Sequence, residues 1–536
     1  MRRGCHCPQI SRRLFRNRPR LRSTTRLVSL SSDRQEDNLR PNGFRENSNL
    51  KLRHWPAGTV ALIGLLMVLL TGVSRATGAA AINGGTDYRI VIGDRLDRLF
   101  VDLCFADVEV PATLIASQEL ANSIDDIVMR FAEGPARKLR LRDRSIGLPP
   151  NARGCVAYTV EIPAVPGASR RSGLYEHNGA IAVSLERILL LPGEVARWHK
   201  TILSFSKPPG VGVSAPGRRL SASVEEESFE LLNRPSAWNG TIAFGQLTQN
   251  LIDAGGALIR LSIVGGTKPE TATALQGWVS TSVAAVVTLY GRFPVTDLQA
   301  LVFPLGPSSD LVPWGEVTRG GGDAVHLYVD RTRTRAELTD DWVLSHELSH
   351  LLHPYMKASD AWLSEGIASY FQNVLRARAG LIAPVVAWQK LDAGFRRGIA
   401  QFSGTRTLAR DTRAMMHQRH YMRVYWSGAA IALIADVDLR RRSGGSVSLD
   451  TVFEQLSRCC LPSRRRWGAR ELMAKMDEIA GYRTFVPLYE RYAMRPLFPD
   501  LEESYRHLGL EVNARALKFS DDVAPRSLRA DIMRGR

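Results

Sequence analysis

The chain has 536 residues, of which 44% are hydrophobic, with 71 Lys+Arg against 53 Asp+Glu and six cysteines. This excludes a disordered or collagen-like chain and a disulfide-dense miniprotein, and leaves room for several domains with real cores. The formal net charge of +18 would suggest nucleic acid, but residues 1–56 hold 14 basic and 4 acidic side chains, so ten of the eighteen charges sit in a leader and no nucleic-acid partner is expected.

In chain order, residues 1–54 read as a basic, disordered leader. From Trp55 to Ser74 runs a charge-free stretch, WPAGTVALIGLLMVLLTGVS, long enough to cross a bilayer as a helix. Lys51, Arg53 and His54 precede it and only Arg75 follows closely. The expectation is one transmembrane helix or signal anchor over 55–75, with the N-terminus cytoplasmic and the catalytic part periplasmic or extracellular. The small residues Ala76–Ala81 leave open a cleaved signal, which would make the protein secreted.

Residues 88–205 read as a β-rich domain. YRIVI, RLFVDLCF, CVAYTVEIP and AIAVSL are β-branched runs broken by Gly, Pro and Asn. Cys104 and Cys155 fall in two of these runs and are candidates for one disulfide in an oxidising compartment. Cys459 and Cys460 read as two ordinary thiols. SKPPGVGVSAPGRRLSAS reads as a linker over 206–223. Strand-like and helical segments then alternate, and helical periods dominate from the middle 330s to about residue 510. Residues 513–536 read as a disordered tail.

The chemistry lies in DWVLSHELSHLL (Asp341–Leu352). His346-Glu347-Leu348-Ser349-His350 is HExxH on a helix that Thr339 or Asp340 can cap. The i, i+4 spacing puts both imidazoles on one face, as two ligands of one zinc ion require, while Glu347 can take a proton from a metal-activated water. A catalytic zinc needs a third protein ligand. SDAWLSEGIASYFQ (Ser359–Gln372) follows as a second helix capped by Ser359. An antiparallel return near His353-Pro354 would bring its Glu365 opposite the two imidazoles. His353 reads as the cap of the first helix's end.

HExxH followed by W-L-S-E-G-x-A-x-Y resembles the thermolysin-like zinc peptidases with a Glu third ligand, the gluzincins. It is most similar to the glycyl aminopeptidase family and more distantly to aminopeptidase N. The likeness covers roughly Leu258 to Leu510. It takes in LYGRFPVTDLQALVF, the glycines Gly320–Gly322, and Tyr425-Trp426-Ser427-Gly428-Ala429. It implies an α+β chain in which the β-rich domain is followed by a thermolysin-like catalytic domain over 224–512, a mixed sheet plus a helical half. It further implies one Zn2+ per chain on His346, His350 and Glu365, with Glu347 as general base and Tyr425 binding the oxyanion. A phenol aimed at developing carbonyl charge in a dry site is physically suited to that task.

The implied activity is peptide-bond hydrolysis on a peptide or protein substrate, aminopeptidase-like. Three departures bear on it. After the glycines the chain reads Gly322-Asp323-Ala324-Val325-His326, where the family carries a Glu. Fourteen residues separate His350 from Glu365, fewer than is usual in these peptidases, and the chain ends soon after Leu510 without a PDZ domain. An endopeptidase of the same fold, or a membrane-tethered binding module on a peptidase scaffold, stay open as alternatives. By fold analogy, AVHLYVD (Ala324–Asp330) would be the sheet edge along which a peptide pairs.

Overall fold

The computed structural model describes residues 6–7, 85–106, 110–150, 153–163, 173–193, 200–232, 240–463, 465–513 and 516–534. The 55–75 segment lies outside the described residues, and with it the expected membrane helix. Among the described residues, no helix is long and apolar enough to cross a membrane.

Three of the four β-branched runs of the first half, all but AIAVSL, pair into an eight-stranded sheet. Its order is Arg218–Ala222, Glu226–Leu231, Lys200–Ser206, Gly85–Ile92, Arg98–Ala106, Gly154–Glu161, Ile124–Phe131, Arg137–Lys138. Cys104 and Cys155 stand directly opposite in neighbouring strands and are joined, with Cα atoms 4.1 Å apart. Residues 206–223 are not the linker that their composition suggests. Gly212–Ser214 and Arg218–Ala222 are strands, and Arg219 pairs across to Glu227 at 3.0 Å. The Pro and Gly residues there mark turns between paired segments, with Gly217 at φ 90°. The β-rich part accordingly continues past residue 205, through Thr241–Gly245.

A small sheet (Gly212–Ser214, Thr241–Gly245, Ala180–Ser184, Leu174–His177) joins the two halves. Strand alternation divides its side chains. Ile181, Val183, Ile242 and Phe244 enter the N-terminal core. Ala180, Ala182 and Ala243 face the other way, against Val264, Leu301 and Phe303 of the second half, and their small size lets the two sheets approach closely.

The second half is built on β1 (Leu247–Asp253), β2 (Leu258–Val264), β3 (Asp297–Leu305), β4 (Trp314–Thr318) and β5 (Ala324–Asp330). They lie in the order β4-β5-β3-β2-β1, with β2, β3 and β5 parallel and the two outer strands antiparallel. Both faces are covered. Ile259, Leu261, Val302, Val325 and Leu327 pack under helices, and the alternate residues pack on the small sheet, which is why β3 reads as one apolar run. AVHLYVD is therefore not the edge. It is β5, enclosed between β3 and β4, whereas the five-residue β4 is too short to announce itself by alternation. On the open side of β4, the backbone of His6–Cys7 pairs antiparallel with Glu316 and Gly315.

The helical half supplies α1 (Pro269–Val287), α2 (Val343–Ser349), α3 (Ala361–Arg378), α4 (Tyr421–Arg442), α5 (Leu449–Cys460) and α6 (Val523–Met533). Cys459 and Cys460, at the end of α5, are joined to each other rather than standing as two thiols. The tail is folded over 516–534, against expectation. Ala516–Phe519 pairs with Leu510–Asn513. Ile532 and Met533 are buried in the main core, and the Ile532 carbonyl accepts two hydrogen bonds from the Arg378 guanidinium at 3.0 and 2.8 Å. A few well-placed apolar residues in a polar segment suffice to dock it.

Candidate active site

Helix α2 is short and fully buried, with Leu344 and Leu348 in the core. Thr339 and Asp340 do not cap it. They belong to a separate helix, Arg335–Asp340, closed by the Thr334–Glu337 capping box. The Asp341 carboxylate instead accepts from the Val343 N–H at 2.7 Å. At the other end His353 takes the C-cap position of the 3-10 turn His350–Leu352 that continues α2, as expected, while its ring bonds the Pro354 carbonyl rather than a helix carbonyl. The Arg319 guanidinium donates to the carbonyl of His353 at 2.8 Å and to that of His350. Ser359 likewise lies outside α3, which begins at Ala361 without a side-chain cap.

The chain then reverses through His353–Asp360 and enters α3, whose second turn carries Glu365. As the two-helix reading requires, Glu365 faces both imidazoles. Its Oε2 lies 3.2 Å from His346 Nε2 and 3.6 Å from His350 Nε2, and the donor atoms of the three residues fall within 4.8 Å of one another. His346 and Glu365 are 0% exposed and His350 is 4% exposed. Ligand atoms at tetrahedral zinc distances stand about 3.4 Å apart, so this donor set fits the ion.

Hydrogen bonding strengthens that fit. His346 Nδ1 meets Gln372 Oε1 at 2.7 Å. An amide oxygen only accepts, so Nδ1 donates to it and Nε2 is the nitrogen turned toward the Glu365 carboxylate. The 3.2 Å between Nε2 and that carboxylate in a dry interior calls for a positive charge between them, which a metal ion would supply. His350 Nε2 and Glu365 Oε1 are also buried without a hydrogen-bond partner among the described residues, and the Glu347 carboxyl beside them has the Val317 N–H as its backbone donor; native interiors avoid such a concentration of unsatisfied atoms.

Burial pushes the Glu347 carboxyl well above the usual carboxylate range, and the Glu365 and Glu316 carboxylates push it further; the Val317 N–H offsets only part of this. Burial drives His350 well below the usual imidazole range, helped by His346, His353 and Arg319. His353 is pushed down to about 3 by burial, with Arg319 adding to it. Helix α2 reaches the sheet at Gly315, where a Cβ would stand 2.8 Å from Glu347 Cγ. Only glycine admits the base there.

Tyr425 on α4 is 3% exposed and its ring stacks on His346, with centroids 6.0 Å apart and 15° between the planes. Tyr421, one turn earlier, directs its hydroxyl to Met416 Sδ at 3.9 Å and is no part of the site. The structure therefore brings together all five residues singled out in the sequence. It adds Arg319, Ser364, Gln372 and Gly315, which sequence reasoning missed. Only Gln372 left a signal, seven residues after Glu365 on the same helical face. Asp323, the one acid just after the glycines, is half-buried and faces Arg319 at 3.6 Å; desolvation raises its carboxyl and Arg319 lowers it.

No protein-family model matches the chain, and no curated protein matches it. Solved structures do match. An aminopeptidase N family protein from Idiomarina loihiensis aligns over 80% of this chain and 79% of its own, at 15% identity and a TM-score of 0.61. An M1 zinc metallopeptidase from Deinococcus radiodurans aligns over 78% of this chain and 95% of its own, at 14% identity and a TM-score of 0.51. The chain shares their fold, here a β-rich first half followed by a mixed sheet and a helical half.

Proposed function

We propose that the chain is a zinc-dependent peptidase, with one zinc ion per chain held by His346, His350 and Glu365. The observation that carries this reading is the convergence of buried donor atoms from those three residues beside the buried Glu347 carboxyl. A zinc ion bound there would supply Lewis acidity to the scissile carbonyl and make the attacking water more acidic.

The remaining steps belong to the protein. Glu347, a strong base because it is dry and close to two other carboxylates, accepts the proton of the attacking water and passes it to the leaving amine. The Tyr425 phenol stabilises the carbonyl oxygen as its charge grows. The substrate backbone pairs along β4, the outer strand beside β5.

Aminopeptidase action follows from the sequence resemblance and is consistent with the fold. Endopeptidase action is the second reading, favoured by the commitment of Asp323 to Arg319, which leaves it unable to grip a free α-amine. A non-catalytic module has no physical need of a buried, raised Glu347. We place the catalytic part outside the cytoplasm, held by the 55–75 segment or released if that is cleaved; the Cys104–Cys155 disulfide supports an oxidising compartment.

The test is hydrolysis of a peptide library by the zinc-loaded chain, with N-termini free or acetylated. Loss of single N-terminal residues from free peptides only marks an aminopeptidase, and internal cleavage of both sets marks an endopeptidase. A chain that binds zinc and cleaves neither is a binding module.

A further inference from the structure

Behind His350 lies a chain of three hydrogen bonds that ends on a backbone carbonyl. His350 Nδ1 meets Ser364 Oγ at 2.9 Å, Ser364 Oγ meets His353 Nε2 at 3.2 Å, and His353 Nδ1 meets the Pro354 carbonyl at 2.8 Å. All three side chains are buried, so water cannot substitute for any partner.

The direction of each bond follows from the far end. A carbonyl can only accept, so His353 Nδ1 carries that ring's proton and donates it. The neutral ring's Nε2 is then an acceptor, which the Ser364 hydroxyl must satisfy with its single hydrogen. Ser364 oxygen, its hydrogen committed, is left to accept from His350 Nδ1–H. His350 is thereby fixed as the Nδ1–H tautomer, with its Nε2 lone pair directed at Glu365. One conformationally fixed carbonyl thus determines where the proton sits two side chains away.

We propose that His353 is a positioning residue for the metal site. By orienting the Ser364 hydroxyl, it sets the tautomer of His350 and leaves Nε2 ready to bind a divalent cation. His353 touches neither the cation nor the substrate; its ring also stands edge-on to that of His350, with centroids 6.0 Å apart, but its hydrogen bond reaches His350 through Ser364. Ligand histidines are usually oriented by one direct partner, and loss of that partner weakens metal binding about 10–100-fold. Here the orienting task is divided between two residues, and neither suffices alone. This inference rests on the zinc-site reading above.

The experiment measures zinc affinity of the full chain by competition with a chelating dye, for the parent, Ser364→Ala, His353→Phe, His353→Gln and the Ser364→Ala/His353→Phe double variant. Nitrogen-15 shifts of the histidine rings are recorded in the metal-free forms. We expect about 10–100-fold weaker zinc binding in each of Ser364→Ala and His353→Phe. The double variant should be no weaker than Ser364→Ala, because both residues act through one chain of bonds. His353→Gln, whose Oε1 can accept from Ser364, should bind within about threefold of the parent; this estimate assumes that one hydrogen bond is kept.

The ring spectrum of the parent should show His350 protonated at Nδ1, and that signature should be lost in His353→Phe. A parent that binds no zinc overturns the metal-site reading itself. A parent that binds zinc beside a His353→Phe variant that binds equally well, with an unchanged His350 spectrum, overturns only the relay. If His353→Phe fails to fold, Ser364→Ala and His353→Gln decide: equal affinity in parent and Ser364→Ala overturns the relay, as does a His353→Gln affinity as low as that of Ser364→Ala.

Discussion

Gly366 and Gly428 meet backbone to backbone where α3 crosses α4. A Cβ on Gly366 would stand 2.3 Å from the Gly428 Cα, and one on Gly428 would stand 2.2 Å from the Trp362 carbonyl oxygen. The contact lies one residue after Glu365 and three after Tyr425. It therefore sets the distance between the ligand helix and the helix that presses Tyr425 onto His346. Gly428→Ala should push the helices apart, costing about 1–3 kcal/mol of stability as overpacked cores do. Hydrolysis should fall about tenfold or more, as misplaced catalytic groups do. Denaturant unfolding and steady-state kinetics check both. A variant as stable and as active as the parent would show that this crossing does not organise the site.

Glu347 and Tyr425 should separate from the three metal donors by experiment. Glu347→Gln keeps the shape of the side chain and removes the base, so hydrolysis should drop about 10²–10⁴-fold while one zinc per chain is retained. Tyr425→Phe should cost about 10²–10³-fold, again with zinc retained and mainly in kcat. His350→Ala should instead lose zinc and activity together. Metal content by atomic emission, set beside kinetics on one peptide, distinguishes the two patterns. Loss of metal in Glu347→Gln would remove that residue from the role of base.

How much of this was legible beforehand depends on the range of the interactions. The i, i+4 pair His346 and His350 is local to one helix, and Glu365 follows across one short reversal, so spacing sufficed to bring the three together. The disulfide partners were legible as two cysteines in strand-like runs, although only the register shows that they stand opposite. Three features were not legible. The edge strand β4 is too short to show a period. The docking of the tail depends on Ile532 and Met533 finding a surface far away in sequence. Arg319 caps α2 from a loop more than thirty residues earlier, which no local pattern encodes. Composition misled at 206–223, where turn residues stand between strands rather than in place of them.

Asp330, at the end of β5, gathers the loop that leads to α2. Its carboxylate accepts from the Ser308 N–H at 2.9 Å, the Thr332 N–H at 2.9 Å, the Thr332 hydroxyl at 2.6 Å and Arg333 Nε at 2.9 Å. Burial alone would raise this carboxyl, but the donors of Thr332, Ser308 and Arg333 outweigh it and hold it at about 2. A folded-state value below the unfolded value of about 3.9 means stability that is present in full above that value. It is lost as pH falls from about 4 toward 2. Asp330→Asn should therefore cost about 1–3 kcal/mol at neutral pH, and its deficit against the parent should shrink below about pH 4. Denaturant midpoints of both proteins, followed from neutral to acid pH, test this. A deficit independent of pH would assign the loss to shape rather than charge.

The strongest electrostatic test of the helical half lies at Asp450. Arg378 grips its carboxylate with two bonds of 3.0 and 2.9 Å, and Arg440 Nη2 adds a third at 3.0 Å. Arg440 Nε also reaches Asp436 at 3.0 Å, and Asp436 accepts the Tyr370 hydroxyl at 2.8 Å. The network ties α3, α4 and α5 together, and its charged members are at most 8% exposed. Removing one member of a buried network strands the others, which typically costs about 3–5 kcal/mol. Asp450→Asn should lose that much, with little response to salt, since buried charges are poorly screened. The pair between Arg98 and Glu161, with side chains 56% and 59% exposed, supplies the contrast. Glu161→Gln should change stability by less than about 1 kcal/mol, and any change should vanish at high salt. Equal costs for the two substitutions would mean that burial, the quantity separating them, does not govern these ion pairs.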